Sequence, residues 1–433
     1  MQEFASRRQR LMRQMGEGGI AIVPAAPERR RNRDVYHPYR QDSDFHYLTG
    51  FPEPEAVAVL LPGRAQGEYL LFCRERNPEM ETWHGRRAGL EGACTRYGAD
   101  DAFPITDLDD ILPGLLENTT RVYATMGSDP AFDRRLLEWV NRVRDKARAG
   151  VTAPVEFIDL DHLLHEMRLF KSAAEIEAMR HAASASAAAH RRAMRACRPG
   201  LSELDLEAEL LHEFAQHGAR HAAYPSIVGA GANGCILHYT ENSSRLRRGD
   251  LVLIDAGAEY DGYAADITRT FPVSGRFSRT QRAVYQLVLE AQHAALEQVR
   301  PGRHWNDPHD AAVAVLTEGL VALGLLKGRP ATQLKKGGYR RFYMHRTGHW
   351  LGMDVHDVGD YKVGGTWREL EPGMVLTIEP GLYLAAGEKG VDRRFADIGI
   401  RIEDDVLVTA DGHAVLTAEA PKEVAEIEAL MAG

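Results

Sequence analysis

LVLIDAGAEYDGYAADITRTF, residues 251–271, holds a strand, a turn and a returning strand. Leu251, Val252, Leu253 and Ile254 form an unbroken apolar run, the pattern of a buried strand. Asp261-Gly262 supplies a strong short hairpin signal, a two-residue turn. With those two residues at the tip, Tyr260 faces Tyr263. Counting outward sets Asp255 opposite Thr268. Strand side chains alternate faces, so Asp266, two positions from Thr268, shares a face with Asp255. The two carboxylates become diagonal cross-strand neighbours, about 7–8 Å apart at the backbone. Unpaired acids that close repel, and a cation between them removes the cost. Two solvated acids on an exposed hairpin face is the other reading, because Asp is common near turns. The hairpin alone leaves both open.

Glu379 in MVLTIEPGLY and Glu403 in GIRIEDDVLV each interrupt an apolar strand pattern. A glutamate in a strand core is rarely left unpaired. For either one alone, a salt bridge to Arg401 or Arg393 is a competing explanation. Pro380-Gly381 ends the first of these strands directly after its glutamate, where the backbone must turn. Of eighteen histidines, four have an informative context: His238 in NGCILHYTEN, His345 and His349 in HRTGH, and His356 in DVHDVG. HxxxH spacing puts both rings on one face of a helix. It lacks the internal Glu of HExxH, and Gly348 and Gly352 argue against a long helix. The stretch therefore reads as a glycine-rich loop presenting His349. Four carboxylates and one imidazole that converge make a two-metal site, able to turn water into a nucleophile at neutral pH. An oxygen-rich set suits manganese, with zinc or cobalt as alternatives.

CILHYTEN, LVLIDAGAEYDGYAADITRTFPV, HWLGMDVHDVG, EPGMVLTIEPGLY and GIRIEDD resemble segments of aminopeptidase P, the Xaa-Pro aminopeptidase of the pita-bread metallopeptidase family. YRQDSDFHYLTGF, ETWHGRR and HEMRLFKS resemble that family's N-terminal domain, so the likeness spans nearly the whole chain. The resemblance implies an α/β protein of two domains. Residues 1–168 would be an N-terminal, creatinase-like α/β domain for oligomerisation and pocket closure. Residues 169–433 would be the catalytic pita-bread domain. It implies two Mn2+ per subunit, with Asp255 on one ion, His349 and Glu379 on the other, and Asp266 and Glu403 bridging. His238, His345 and His356 match histidines around the substrate, and Tyr383 and Arg401 match positions close to the metals. Trp83 matches a residue that closes a neighbouring subunit's pocket, although a buried core tryptophan is the simpler reading of it. HRTGH departs from the family's form at Arg346 and Thr347, which bears on substrate contacts and on no metal ligand.

The implied reaction removes the N-terminal residue from peptides with proline second. A bridging hydroxide would attack, Glu379 would act as general base and then acid, and His356 and His238 would hydrogen-bond the carbonyl oxygen. A prolidase, cutting Xaa-Pro dipeptides, shares the ligands and length and is the alternative. It needs a cation for the dipeptide carboxylate, for which Arg368 and Arg401 are candidates. A creatinase-like chain lacks the ligand set, and a methionine aminopeptidase usually lacks so long a front half. A non-catalytic peptide-binding module on a dead peptidase fold is the reading of another class, and five intact ligand positions oppose it.

A chain of 433 residues exceeds one ordinary core, so two domains are expected. A net charge of −9 argues against a nucleic-acid partner. No window of 18 or more apolar residues calls for a membrane helix, so no membrane partner is expected. The basic start MQEFASRRQRLMRQMGEGG lacks the apolar core of a signal peptide. Cys73, Cys94, Cys197 and Cys235 are scattered without metal or redox spacing. Together these point to the cytoplasm. The front half alternates short apolar runs with charged helical stretches, an α/β pattern. ARAGVTAPVEF, with Gly150 and Pro154, reads as a candidate domain edge. Helices follow over 160–197, ended by Pro199-Gly200, and over 201–217, capped by Gly218. RTQRAVYQLVLEAQHAALEQV is another helix, stopped by Pro301-Gly302. GAGANG lacks the lysine of a phosphate-binding P-loop and reads as a turn that positions His238.

Overall fold

The computed structural model describes residues 2–433, which form two compact units divided between Met167 and Arg168. No helix among the described residues is long and apolar enough to cross a membrane.

The first unit is built on a six-stranded sheet. Its strands are β1 (Gly19–Pro24), β2 (Val57–Leu60), β3 (Tyr69–Cys73), β4 (Asp101–Pro104), β5 (Arg121–Ala124) and β6 (Glu156–Asp159), in the order β4-β3-β2-β1-β5-β6. β1 runs parallel to β5 and antiparallel to β2. Ile20, Ile22, Val59, Leu70 and Phe72 from the sheet pack with Leu112, Leu136, Trp139 and Val140 from two covering helices. Fully burying such a side chain is worth about 1.5–3 kcal/mol, so this face contributes strongly to the unit's cohesion. ARAGVTAPVEF is not a domain edge. Its last residues enter β6, which pairs in parallel with β5, and the Gly150 turn lies inside the unit.

In the second unit β7 (His221–Ala222), β10 (Ala258–Tyr260) and β11 (Tyr263–Ala264) form one small sheet. A second is made by β8 (Ile227–Ala230), β9 (Leu251–Asp255) and β12 (Thr268–Pro272). β13 (Lys362–Val363) and β14 (Thr366–Trp367) make an exposed hairpin. β15 (Val375–Ile378) pairs with β18 (Asp404–Thr409), which also pairs with β19 (Gly412–Val415). β16 (Gly381–Leu384) pairs with β17 (Ile398–Arg401). Helices Ala173–Ala196, Glu203–Gln216, Arg279–Leu296 and Asp307–Ala322 cover the strands, and their apolar faces share one core with Val252, Ile254, Phe271 and Ile400. Capping boxes at Ser172 and Ser278 start the first and third of these. The first stops at Ala196, three residues before Pro199, because Cys197 already turns to extended backbone. The third stops at Leu296, five before Pro301. Gly218, at φ +79°, follows the second as expected.

Candidate active site

The turn residues Asp261 and Gly262 both have positive φ, and Tyr260 pairs with Tyr263. The register holds along the hairpin and sets Asp255 opposite Thr268. Pairing is interrupted at Gly257, where a Cβ would lie 1.7 Å from the Ala265 carbonyl oxygen. That close approach lets the chain bend while Asp255 and Asp266 stay on one face. The Tyr224 hydroxyl lies 2.6 Å from Asp255 Oδ1 and 2.5 Å from Asp266 Oδ1, so the two acids converge on one point.

The second strand pair repeats the device. Ile378 pairs with Asp404, and Gly381 pairs with Arg401. Carried through the break between these pairs, the same register sets Glu379 opposite Glu403. Pro380 cannot donate to a ladder, which explains the break there. HRTGH is a loop and not a helix, and it lies along β15. Thr377 donates its N–H to the His349 carbonyl at 2.9 Å, and Glu379 donates its N–H to the Thr347 carbonyl at 2.8 Å. Gly348 permits this, since a Cβ there would come within 2.0 Å of the Thr377 carbonyl oxygen. The result puts His349 Nε2 3.4 Å from Asp266 Oδ2 and 3.7 Å from Glu379 Oε1. Ligand atoms of Asp266, His349 and Glu403 all lie within 4.8 Å of one another.

All five residues line one cavity of about 640 Å³, together with His238, His345, His356, Arg401, Trp305, Tyr361, Trp367 and Arg346. The ring of His356 stands edge-on to that of His349, with centroids 4.4 Å apart. Its loop is clasped from behind. Asp357 accepts from Arg168 at 2.6 Å and from Lys171 at 2.9 Å. Arg401 has every guanidinium nitrogen engaged: Nε with Thr268 Oγ1, Nη1 with the Tyr383 hydroxyl and Nη2 with Asp255 Oδ2 at 2.6 Å. Neither Glu379 nor Glu403 is salt-bridged to Arg401 or Arg393 among the described residues, which removes that competing explanation.

Burial and crowding set the charges. Burial pushes the Glu379 carboxyl up to about 7, with Asp266 and Asp255 adding and His349 and Arg401 opposing. Glu403 is pushed well above the usual carboxylate range by burial and by Asp266 and Glu379. Burial also raises Asp255. Asp266 is held low despite burial, because His349 bonds to it. Burial disfavours the charged His349 ring, yet Asp266 and Glu379 lift it to about 9. Burial drops His345 to about 3. Against four carboxylates stand one guanidinium and one imidazole. With all four acids ionised, the cluster carries two surplus negative charges when His349 is charged and three when it is neutral, and the raised Glu379 and Glu403 carboxyls express burial together with that crowding. The residues fit a pair of divalent cations by charge, by oxygen-rich donors and by proximity.

Of the residues singled out from sequence, Asp255, Asp266, His349, Glu379, Glu403, His238, His345, His356 and Arg401 share this cavity. Tyr383 lies behind the wall, its hydroxyl between Arg401 and His345 at 2.8 Å each. Trp83 is no core residue. It stands 78 % exposed on helix Pro78–His84 of the first unit. Sequence reasoning missed Tyr224, the aromatic wall of Trp305, Tyr361 and Trp367, and the clasp on Asp357. No local pattern ties Tyr224 to acids 31 and 42 residues downstream.

Residues 177–410 match the sequence model of metallopeptidase family M24, and residues 4–123 match that of the aminopeptidase P N-terminal domain. The chain is similar to the Xaa-Pro aminopeptidase of Escherichia coli strain K12, at 48 % identity covering 99 % of this chain and 97 % of that one. It is also similar to the solved structure of Pseudomonas aeruginosa aminopeptidase PepP, with a TM-score of 0.99 and 62 % identity over 100 % of this chain and 98 % of that one. The solved proline aminopeptidase P II of Yersinia pestis superposes with a TM-score of 0.97 at 50 % identity, over 100 % of this chain and 99 % of that one.

Proposed function

The chain belongs to metallopeptidase family M24, and from that premise we propose that it releases the N-terminal residue of peptides whose second residue is proline. It is a metallo-aminopeptidase with a pita-bread catalytic domain, and the family implies a site for two divalent metal ions. The single observation behind the reading is the convergence of Asp255, Asp266, His349, Glu379 and Glu403 on one cavity. In our assignment Asp255 would hold one ion, His349 and Glu379 would hold the other, and Asp266 and Glu403 would serve both. Manganese is the proposed metal, since carboxylate-rich donors suit it, with zinc or cobalt as substitutes.

Bound metals supply an activated water and a Lewis acid for the scissile carbonyl. Glu379 takes the proton of the attacking water and delivers it to the proline nitrogen. A carboxylate that faces the attacking water can take its proton and pass it on, as general base and then acid. His356 and His238 face the same cavity and donate to the carbonyl oxygen as its charge grows. An Xaa-Pro bond is a tertiary amide with no N–H, so recognition must come from the ring and the flanking groups.

The prolidase alternative has less support. The relatives are aminopeptidases, Arg401 is bound to Thr268, Tyr383 and Asp255, and Arg368 does not line the cavity. A cytoplasmic location and a homo-oligomer, dimer or tetramer, in which Trp83 covers a neighbour's pocket complete the proposal. Four free thiols and the exposure of Trp83 support these two parts. The test is hydrolysis of an Xaa-Pro-Yaa tripeptide against an Xaa-Pro dipeptide by metal-stripped protein reloaded with manganese. Tripeptide cleavage should dominate by kcat/KM, and a clear dipeptide preference would assign the chain to the prolidases.

A further inference from the structure

The cavity has two ends of opposite character. Its floor is the buried carboxylate cluster. Its mouth is aromatic and cationic, formed by Tyr361, Trp367 and the exposed Arg346. The Arg346 guanidinium sits 5.1 Å from the Trp367 ring centroid and donates to the Asn306 side chain. Asn306 is fixed in turn by donating to Asp310 at 2.7 Å. Lys362, on the β13–β14 hairpin, places its ammonium 4.4 Å from the same Trp367 ring. Neither cation forms a salt bridge with a carboxylate among the described residues. Of these two cations Arg346 lines the cavity, so it offers an anion there an unpaired guanidinium, and the Lys362 charge on the same indole adds to the local positive field.

We propose that Arg346 binds a carboxylate on the leaving portion of the substrate, with Lys362 adding positive charge from the same indole. This rests on the aminopeptidase reading. An aminopeptidase takes the amino end toward the reacting groups, so the residues after the cut bond run out through the mouth. Arg346 is one Cα step, about 3.8 Å, from Thr347, whose carbonyl accepts from the Glu379 N–H. In a tripeptide the terminal carboxylate trails the cut bond by two residues, about 7 Å of extended chain. A stretched arginine side chain on the cavity wall spans such a gap. The guanidinium suits a planar carboxylate through paired N–H donors, while the indole fixes its orientation. The substrates favoured are therefore tripeptides, or longer peptides with an acidic third residue.

Three peptides separate the cases on manganese-loaded protein: Ala-Pro-Ala with a free carboxylate, its C-terminal amide, and the amide with aspartate third. For the first pair we expect an acid-to-amide ratio in kcat/KM of about ten, the scale of one partly exposed charge-assisted hydrogen-bonding contact. The ratio should shrink as salt is raised, by screening. Arg346→Gln should bring the ratio close to one, Arg346→Lys should keep part of it, and Lys362→Gln should lower it less than Arg346→Gln. Because the ratio is internal to each variant, a change in folding or metal content does not imitate the effect. Recovery of rate by the aspartate amide identifies a side-chain carboxylate as an equal ligand, whereas recovery limited to the free acid assigns the site to the chain terminus. A wild-type ratio near one with the aspartate amide also no better, or a ratio that survives Arg346→Gln, overturns the proposal and leaves the aminopeptidase reading standing. If none of the three is cut, the aminopeptidase reading fails first.

Discussion

Glu403 and Asp404 are consecutive, both are buried, and they have opposite surroundings. Asp404 accepts from Arg269 at 2.6 Å, Lys422 at 2.7 Å, Thr417 at 2.8 Å and Gln292 at 2.9 Å. Burial alone would raise its carboxyl, but Arg269 and Lys422 prevail and hold it at about 2. Glu403 accepts from the Thr268 hydroxyl at 2.6 Å and is crowded by Asp266, Glu379 and Asp255, with Arg401 the weaker opposing charge. Successive strand residues face opposite sides, so one step of the chain separates a charge-balanced core from a charge-starved cavity. Where the fold supplies the cations, the carboxylate serves structure. Where it withholds them, the cations have to come from solution.

The strongest way to break this contrast is at the cavity's junction. Asp266→Asn removes the carboxylate that meets Tyr224, His349 and Glu403 together. It should lower kcat/KM by at least about 10³-fold, the scale of losing a dominant electrostatic group, and elemental analysis should find both ions depleted. Retention of two ions would show that Asp266 does not link the site.

On the balanced side, Asp404→Ala should destabilise folding by about 3–5 kcal/mol, because Arg269 and Lys422 lose a buried partner. Glu403→Gln should leave the melting temperature of the metal-free protein unchanged or higher, since it relieves repulsion. Equal losses in the two variants would erase the distinction. The pH dependence has a definite sign. The Asp404 pKa is depressed from 3.8 to about 2, so its contribution is present above about pH 4 and lost as pH falls toward 2. Acid melts of Asp404→Asn should lack that component.

His356→Ala tests whether the cavity divides into metal-holding and substrate-facing parts. Turnover should fall about 10²-fold with metal content intact. A metal-free variant would make His356 a ligand. The smallest effect is expected from Lys171→Met, which loosens the clasp on Asp357 behind His356. A loss of about tenfold in kcat, with KM and metals nearly unchanged, is the signature of a positioning residue.

How much of this was legible follows from range in sequence. Asp255 and Asp266 were readable as a pair because Asp261-Gly262 dictates the register over the ten residues between them. Glu379 and Glu403 stood out as acids inside apolar strands. Their mutual pairing was not legible, since it depends on a register carried across the Pro380 break. Arg401 lines the cavity, and its bonds to Thr268, Tyr383 and Asp255 join residues too far apart in sequence to be read there. Arg168 and Lys171 reach Asp357 across nearly two hundred residues, a distance over which no periodicity speaks. Helix ends fell short of their Pro-Gly stops because a proline forbids continuation without fixing the last turn. The mistaken domain edge has a similar cause: a Gly and Pro pair marks a turn, and a turn can lead into one more strand of the same sheet.

The central claim is that the surplus of buried carboxylates is a seat for two cations. Titrating metal-stripped protein with manganese, with the bound ions counted per chain, addresses it directly. Two ions per chain for the wild type, and fewer than two for Glu403→Gln, are the result expected. A wild-type protein that saturates at one ion or none, or a Glu403→Gln protein that still binds two, would contradict it.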